Sequence, residues 1–172
     1  MFPLLFRHTT RRLMIRRMVP GDWEDLYEYL SDPETVLYEP YEPYSRADAQ
    51  LEAANRANSS SFLAVCLLTN GKMIGNLYVS PEEPGSYEIG YVFNRRYWGK
   101  GYAFESSEAL IDILWSHIDT KRIFAECDAR NTRSFALMER LGMTREKEFM
   151  GKDFTGREKK ALCYRYGISR QP

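Results

Sequence analysis

The sequence has no apolar run long enough to cross a bilayer. Its longest, Phe62 to Leu68, is seven residues, against the ~20 a spanning helix needs. It is poor in metal-binding side chains, with 2 His and 3 Cys. Cys66, Cys127 and Cys163 lie far apart and form no C-x-x-C pair, which excludes a zinc site of the usual spacing. Isolated thiols of this kind suit a reducing, cytoplasmic setting as buried residues. There is no excess of charge of one sign, since 24 Lys and Arg balance 24 Asp and Glu. No overall basic surface therefore points to nucleic acid. Internal repeats, low-complexity stretches and the apolar core of a secretory signal are also missing. What is present is 172 residues, 44% hydrophobic and 14% aromatic. That is about one domain's length, with too many apolar anchors for a disordered chain. Residues 1–172 are read as a single domain.

Residues 1–20 contain Arg7, Arg11, Arg12, Arg16 and Arg17 and no acid. The composition is similar to that of a transit peptide. The competing reading is a first strand, with Leu13, Ile15 and Arg17 alternating with Met14, Arg16 and Met18 into the turn Pro20-Gly21-Asp22. Asp22 is expected to cap a helix through Leu30, with Trp23, Leu26, Tyr27 and Leu30 on its apolar stripe. The prolines in Tyr38–Tyr44 impose a loop. Ser45 and Asp48 form a capping-box pattern for a helix to about Asn58. Phe62–Leu68 and Met73–Ser80 flank an Asn-Gly turn and read as a hairpin. Pro81–Gly85 reads as a turn, Ser86–Asn94 as a strand and Tyr102–Ile118 as a helix. A strand over Arg122–Cys127 follows, then a helix over Asn131–Leu141 ended by Gly142. Two last strands, Thr144–Asp153 and Arg157–Ile168, turn at Thr155-Gly156. Strands with late, interleaved helices predict a mixed α/β fold.

The most informative segment is Arg95-Arg96-Tyr97-Trp98-Gly99-Lys100-Gly101-Tyr102-Ala103, between a strand and a helix. Two glycines two apart let the backbone approach a ligand in conformations closed to other residues. The amides at the helix start favour an anion, and Arg95, Arg96 and Lys100 add positive charge. The loop is not a Walker loop, because Tyr102 follows Gly101 and no Gly-Lys-[ST] occurs. It lacks the third Rossmann glycine, Phe104 standing there, and it follows several strands rather than opening a βαβ unit. A simple strand–helix turn with solvated arginines is the plainer alternative. The preceding Tyr87-Glu88-Ile89-Gly90-Tyr91-Val92-Phe93-Asn94 carries a central Gly90, which weakens a strand unless something must lie close to its backbone.

Arg96-x-x-Gly99-x-Gly101, Glu88-Ile89-Gly90-Tyr91, and Asn131-x-x-Ser134 followed by Leu141-Gly142-Met143 together resemble the GNAT superfamily of N-acetyltransferases. The resemblance covers the whole chain and is strongest to the branch acetylating ribosomal-protein N-termini and related small amines. It implies a central, mostly antiparallel twisted sheet with one splayed parallel strand pair and helices on both faces. The pantetheine arm of acetyl-CoA would enter that splay, pairing with backbone near Val92, Phe93 and Asn94. Arg96 and the amides of Gly99, Lys100, Gly101, Tyr102 and Ala103 would take the pyrophosphate. Asn131 would bond the pantetheine and Ser134 would sit near the thioester sulfur. A backbone N–H near Val92 would hold the oxyanion. The same resemblance implies direct transfer to a primary amine in a ternary complex, with acetyl-CoA as co-substrate, no metal and no covalent enzyme intermediate. Plainer readings stand beside these: Asn131 as a helix N-cap and Ser134 as a first-turn hydroxyl.

One departure matters. Many members carry a Tyr seven residues after the Asn as general acid, and here that position is Met138, which has no proton to give. Ser134, one turn earlier on the same helix face, is then the expected partner of the leaving thiolate. Strand alternation puts Glu88, Gly90, Val92 and Asn94 on one face, so Glu88 is the candidate base, with a surface carboxylate or an ion pair to an Arg as the alternative. Glu105 is expected in structural pairing, Trp98 and Tyr102 in packing, and Cys127 as an inert thiol. A rival class is an acyl-CoA-binding module of weak catalytic power.

The acceptor class stays open among a protein N-terminus, a polyamine, an antibiotic and an amino-acid derivative. Residues 21–55 hold ten acids against Arg46 alone, a formal balance of 1 − 10 = −9. The resemblance makes this stretch a wall of the acceptor cleft. A wall of one sign, with the tyrosines of Tyr38–Tyr44, would favour a cationic acceptor. No nucleic-acid or membrane partner is expected, and monomer and homodimer are both open.

Overall fold

The computed structural model describes residues 2–152 and 160–170. In chain order these form β1 (Arg7–Thr9), β2 (Leu13–Arg17), α1 (Trp23–Leu30), α2 (Arg46–Asn58), β3 (Phe62–Leu67), β4 (Met73–Glu83) and β5 (Ser86–Phe93). There follow α3 (Tyr102–Ser116), β6 (Arg122–Asp128), α4 (Thr132–Arg140), β7 (Thr144–Lys152) and β8 (Lys160–Ser169). Short 3-10 turns occupy Pro20–Asp22 and Arg95–Tyr97. No helix among the described residues is long and apolar enough to cross a membrane.

One eight-stranded sheet runs in the order β1-β2-β3-β4-β5-β6-β8-β7. All neighbours pair antiparallel except β5 and β6. The apolar run of β3 is buried on both faces, and its side chains divide by parity. Leu63 and Val65 join α3 and α4 in the larger core, while Ala64 and Cys66 join α1 and α2 in the smaller one. Small residues on the second face let those helices lie close to the sheet.

The parallel pair is short. Its register covers only Ser86↔Arg122, Tyr87↔Ile123 and Glu88↔Phe124. Beyond that rung β5 continues to Phe93 held by β4, and β6 to Asp128 held by β8. The two strands therefore part after Glu88 and Phe124, as the resemblance implied.

Several expectations need correction. Arg7–Thr9 is too short and polar to show periodicity, yet it forms an edge strand on β2. Pro81 does not end β4, because a register shift between Pro81 and Glu83 accommodates it, as prolines at bulges commonly do. The turn is confined to Pro84 and Gly85. Asp22 makes no side-chain cap to α1. It accepts two bonds from Arg16 at 2.8 and 2.6 Å and one from the Val19 amide at 2.9 Å. Tyr29 rather than Tyr27 is the fully buried tyrosine of α1. Helix α3 stops at Ser116, two residues early. The turn Thr155-Gly156 lies outside the described residues. Ser45 and Asp48 do form the reciprocal cap, with bonds of 3.2 Å into the Ser45 hydroxyl and 2.9 Å from the Ser45 amide.

A polar hub lies inside the α1–α2 core. Arg56, 3% exposed, donates to Glu52 at 2.6 Å and to Asn76 Oδ1 at 3.1 Å. Tyr29 donates to the same Asn76 oxygen at 2.8 Å. Asn76 sits opposite Val92 on β5, so the hub lies against the strand that borders the splay. Asn76→Ala would leave the Tyr29 hydroxyl and an Arg56 nitrogen without their acceptor. The expected cost is about 2–4 kcal/mol, read as a lower urea midpoint at unchanged slope. A loss below about 1 kcal/mol would mean that the hub does not depend on this oxygen.

Candidate active site

The glycine loop begins where Asn94, 3% exposed, caps the turn after β5 by accepting from the Arg96 amide at 3.0 Å. Its own side-chain nitrogen donates to Glu28 at 3.0 Å. Gly99 and Gly101 have φ of +71° and +81°, the left-handed region where a Cβ is strained. Gly101 is the N-cap of α3, and the first helical bond runs from the Glu105 amide to the Gly101 carbonyl at 3.0 Å. Among the described residues, the amides from Gly99 to Phe104 have no backbone acceptor. They form an open row at a helix N-terminus, the arrangement that takes anions.

The loop is braced from the first hairpin. Glu105 accepts from the Thr10 hydroxyl at 2.6 Å, the Arg12 amide at 2.8 Å and Arg12 Nε at 2.7 Å. Arg12 Nη1 also reaches the Lys100 carbonyl at 2.9 Å, and its guanidinium lies 4.3 Å from the centre of the Tyr102 ring. Glu105 is thus a structural pairing residue, as expected, and Tyr102 a packing one. Burial pushes the Glu105 carboxyl up, but the bonds from Thr10 and Arg12 outweigh it and hold the group below its ordinary value. Arg12 was not singled out by the sequence; nothing local distinguishes it from Arg11 until the chain folds. Arg96 is 79% exposed and pairs with Glu28 at 3.0 Å. Lys100 lies over Tyr97, 5.3 Å from its ring centre.

The edge of β5 has a definite parity. The Asn94 amide donates to the Ile74 carbonyl of β4 at 2.9 Å. In an antiparallel ladder, residues two apart face the same way, so Val92 and Gly90 also direct their backbone groups to β4. The groups that face the splay are those of Ile89, Tyr91 and Phe93. Of the three positions expected to meet the pantetheine, Val92 and Asn94 thus turn their backbone groups to β4, and Phe93 turns its own to the splay. The Phe93 carbonyl takes the Trp98 indole N–H at 2.8 Å, and Arg133 of α4 stacks on that indole at 4.0 Å. Trp98 thus packs as expected, and it also straps the mouth of the splay. At Gly90 a Cβ would meet only the Tyr78 side chain at an ordinary 3.5 Å, so the chain itself does not require the glycine.

Across the splay, Asn131 caps α4 by accepting from the Ser134 amide at 3.2 Å. Its side-chain nitrogen has no partner among the described residues. The Ser134 hydroxyl lies 3.1 Å from the Tyr91 hydroxyl, which donates to the Ser134 carbonyl at 2.9 Å. Met138 is 1% exposed and belongs to the core. Burial pushes the Cys127 thiol up to about 12, with the Ser134 hydroxyl opposing, which agrees with an inert thiol. Glu88 stands at the last rung before the strands part. Burial first, then Glu126 and Glu82, push its carboxyl up, while Arg165 pulls it down.

The acidic wall is much weaker than its formal charge. Arg16 pairs with Asp22, Lys72 with Asp25 and Glu28, Arg95 with Asp32 and Glu34, and Arg56 with Glu52. All these cations lie outside residues 21–55, so composition within that window could not show them. Glu24, Glu39, Glu42 and Asp48 keep no ion pair among the described residues. Burial pushes Glu39 up to about 7 despite Arg56 nearby.

A family model described as an acetyltransferase (GNAT) domain matches residues 12–144. The chain belongs to the GNAT acetyltransferase family. It is 34% identical over 143 residues to the uncharacterized N-acetyltransferase YnaD of Bacillus subtilis strain 168, covering 82% of this chain and 84% of that one. Among solved structures, a GNAT-family acetyltransferase from Bacillus anthracis aligns with a TM-score of 0.88 at 31% identity, over 95% of this chain and 98% of that chain. The spermidine N-acetyltransferase of Vibrio cholerae, in complex with CoA and spermine, aligns with a TM-score of 0.78 at 17% identity, over 93% and 96%. That last likeness shows the fold. As a GNAT member with relatives named N-acetyltransferases, the protein is an N-acetyltransferase.

The Glu105 brace has a pH signature. Its folded pKa is depressed, so its contribution is present above the ordinary value of 4.5 and is lost as pH falls through the folded value. Glu105→Gln is expected to cost about 1 kcal/mol at pH 7, since Arg12 is partly exposed. The gap to the unsubstituted protein should close below about pH 4.5. Thermal melts across pH check this, and a gap that does not narrow as pH falls below about 4.5 would deny Glu105 the role.

Proposed function

We propose that this GNAT domain transfers the acetyl group of acetyl-CoA to a primary amine by direct attack in a ternary complex. The observation that carries the reading is the parting of β5 from β6 after Glu88 and Phe124, with the open amide row Gly99–Phe104 at its mouth. The row would hold the pyrophosphate, with Arg96 and Lys100 adding charge. The pantetheine would extend along the Tyr91 and Phe93 edge of β5, opposite the free nitrogen of Asn131. That the Vibrio cholerae relative holds CoA on the same fold supports this reading.

An alkyl ammonium has a pKa of ~10.4 and must lose a proton to attack. Glu88, raised by burial and facing the same side of the sheet as Gly90, would accept it directly or through water. Backbone N–H groups on the splay edge would hold the oxyanion. The leaving thiolate, pKa ~8.5, would be met by the Ser134 hydroxyl. Most of the rate would come from positioning. The compartment read from the three free thiols is the cytoplasm.

For the acceptor we infer a cationic amine. A groove of about 320 Å³ is lined by Tyr41, Tyr44, Glu42, Asp48 and Glu52 among others, and the first four set one acid without an ion pair, Glu42, and one capping acid, Asp48, beside two rings 5.1 Å apart. The reading rests on this local set rather than on the full −9.

Thiol release from acetyl-CoA over a panel of polyamines, basic peptides and neutral amines tests both parts. The expected result is release with cationic amines at higher kcat/KM, by ~10-fold at low salt and less as salt rises. Equal use of neutral amines without a salt effect would remove the acceptor class. No calorimetric binding of acetyl-CoA would remove the co-substrate. Glu88→Gln is expected to abolish the acid limb of the kcat/KM profile and to leave activity rising toward the amine's own pKa. An unchanged profile would return Glu88 to a structural role.

A further inference from the structure

Met138 leaves the thiolate without the phenol that many relatives supply from α4, and the fold brings a phenol to the same helix from another strand. Tyr91 lies on β5, and its hydroxyl reaches both the Ser134 carbonyl at 2.9 Å and the Ser134 hydroxyl at 3.1 Å. We propose that Tyr91 is a positioning residue of the transfer step, ordering the Ser134 hydroxyl so that its proton points at the leaving sulfur. The inference rests on the acetyl-CoA reading above.

A tyrosine has one proton to donate and a serine one. When Tyr91 donates to the Ser134 carbonyl, the Ser134 proton is free to point back at the Tyr91 oxygen. When Tyr91 donates to the Ser134 oxygen instead, the Ser134 proton must point elsewhere. It can then point to the Cys127 sulfur beside it or into the splay, where the thioester would lie and where a developing thiolate is the stronger acceptor. The carbonyl is not orphaned by this change, because it keeps its place in the α4 hydrogen-bond ladder with the Met138 amide. The second arrangement is a chain from phenol to hydroxyl to sulfur, in which each bond polarises the next. It strengthens as charge develops on sulfur, so it acts in the transition state rather than on the bound thioester.

Atoms balance without a proton leaving either residue. The amine's proton goes to the base, the electron pair of the C–S bond goes to sulfur, and Tyr91 and Ser134 share the new charge through hydrogen bonds. Water protonates the thiolate after release. Burial keeps the Tyr91 phenol protonated, pushing it well above its ordinary value against the opposing Ser134 bond, with Cys127 and Glu39 adding to the rise. Cys127, itself raised to about 12, stays a thiol and does not draw the Ser134 proton as a thiolate would.

The test uses bound CoA and needs no turnover. The thiol of CoA in its complex with the protein is titrated by thiolate absorbance. Its pKa is expected below the free value of ~8.5. Tyr91→Phe, which keeps the ring, should raise it by ~0.5–1 pH unit. Ser134→Ala should raise it at least as far, and Tyr91→Phe should add nothing in that background. With acetyl-CoA, Tyr91→Phe should lower kcat ~3–10-fold at unchanged KM for acetyl-CoA. A residue that only held α4 in place would shift KM and leave the thiol pKa alone. A thiol pKa unmoved by Tyr91→Phe, or moved equally with and without Ser134, overturns the proposal. If Tyr91→Phe does not fold, 3-fluorotyrosine placed at that position keeps the hydroxyl and makes it a stronger donor. A bound thiol pKa that fails to fall then overturns the proposal. Failure of the unsubstituted protein to bind CoA is a separate outcome and overturns the acetyl-CoA reading itself.

Discussion

The parting of β5 from β6 is the constraint on which the rest of the site depends. A buried backbone edge with no partner is costly, so two strands that stop pairing inside a sheet need something on each side to hold them. Here β4 holds β5 through Phe93 and β8 holds β6 through Asp128. On one side of the gap the backbone of Tyr91 and the Phe93 amide face it, while the Phe93 carbonyl takes the Trp98 indole. Tyr91 on Ser134 and Arg133 on Trp98 bridge it at side-chain level. Both helices that follow these strands, α3 and α4, begin at the open end. Two positive helix ends thus converge on one mouth, which suits a ligand that is anionic at one end and hydrogen-bonding along its length.

Electrostatics in this protein serve mainly to fasten. Glu28 receives Lys72 at 2.7 Å, Arg96 at 3.0 Å and the side-chain nitrogen of Asn94 at 3.0 Å. The Lys72 bond, more than the others, holds that carboxylate below its ordinary value. One acid on α1 therefore ties together the turn before β4 and the turn before the glycine loop. Arg95 does the same for Asp32 and Glu34. Each such surface pair is worth little alone, but together they set the distance between the α1 region and the loop.

Much of this was legible in the sequence, and the boundary is physical. The glycine loop, the Ser45 cap, the Asn-Gly hairpin and the alternation in β2 all depend on neighbours within a few residues, and each is present. Conformations that only glycine adopts cheaply leave a local trace, as at Gly99 and Gly101. The edge strand Arg7–Thr9, the bulge that carries β4 past Pro81, and the diversion of Asp22 to Arg16 depend on partners that no window contains. The parity of β5 lay between these cases. Alternation fixed which side chains share a face, and it was correct. Which amides face the splay was fixed by the rung between Asn94 and Ile74, and no property of either residue alone announces it.

The same boundary separates cofactor from acceptor. A pyrophosphate would be met, on the proposed reading, by backbone amides whose direction follows from chain conformation, so such a site is written in glycine spacing. On the reading proposed above, an acceptor would be met by side chains of the loop between α1 and α2, and several of those have already found partners inside the protein. Arg56 holds Glu52 and Asn76 and lies 4.3 Å from the centre of the Phe62 ring. Its charge also offsets part of the rise that burial gives the Tyr41 and Tyr44 hydroxyls. An internal cation has thus claimed much of what composition offered to an external one. If the acceptor binds beside this loop as proposed, the charge it meets is what remains after that claim, and its selectivity would depend on how firmly the hub holds the loop.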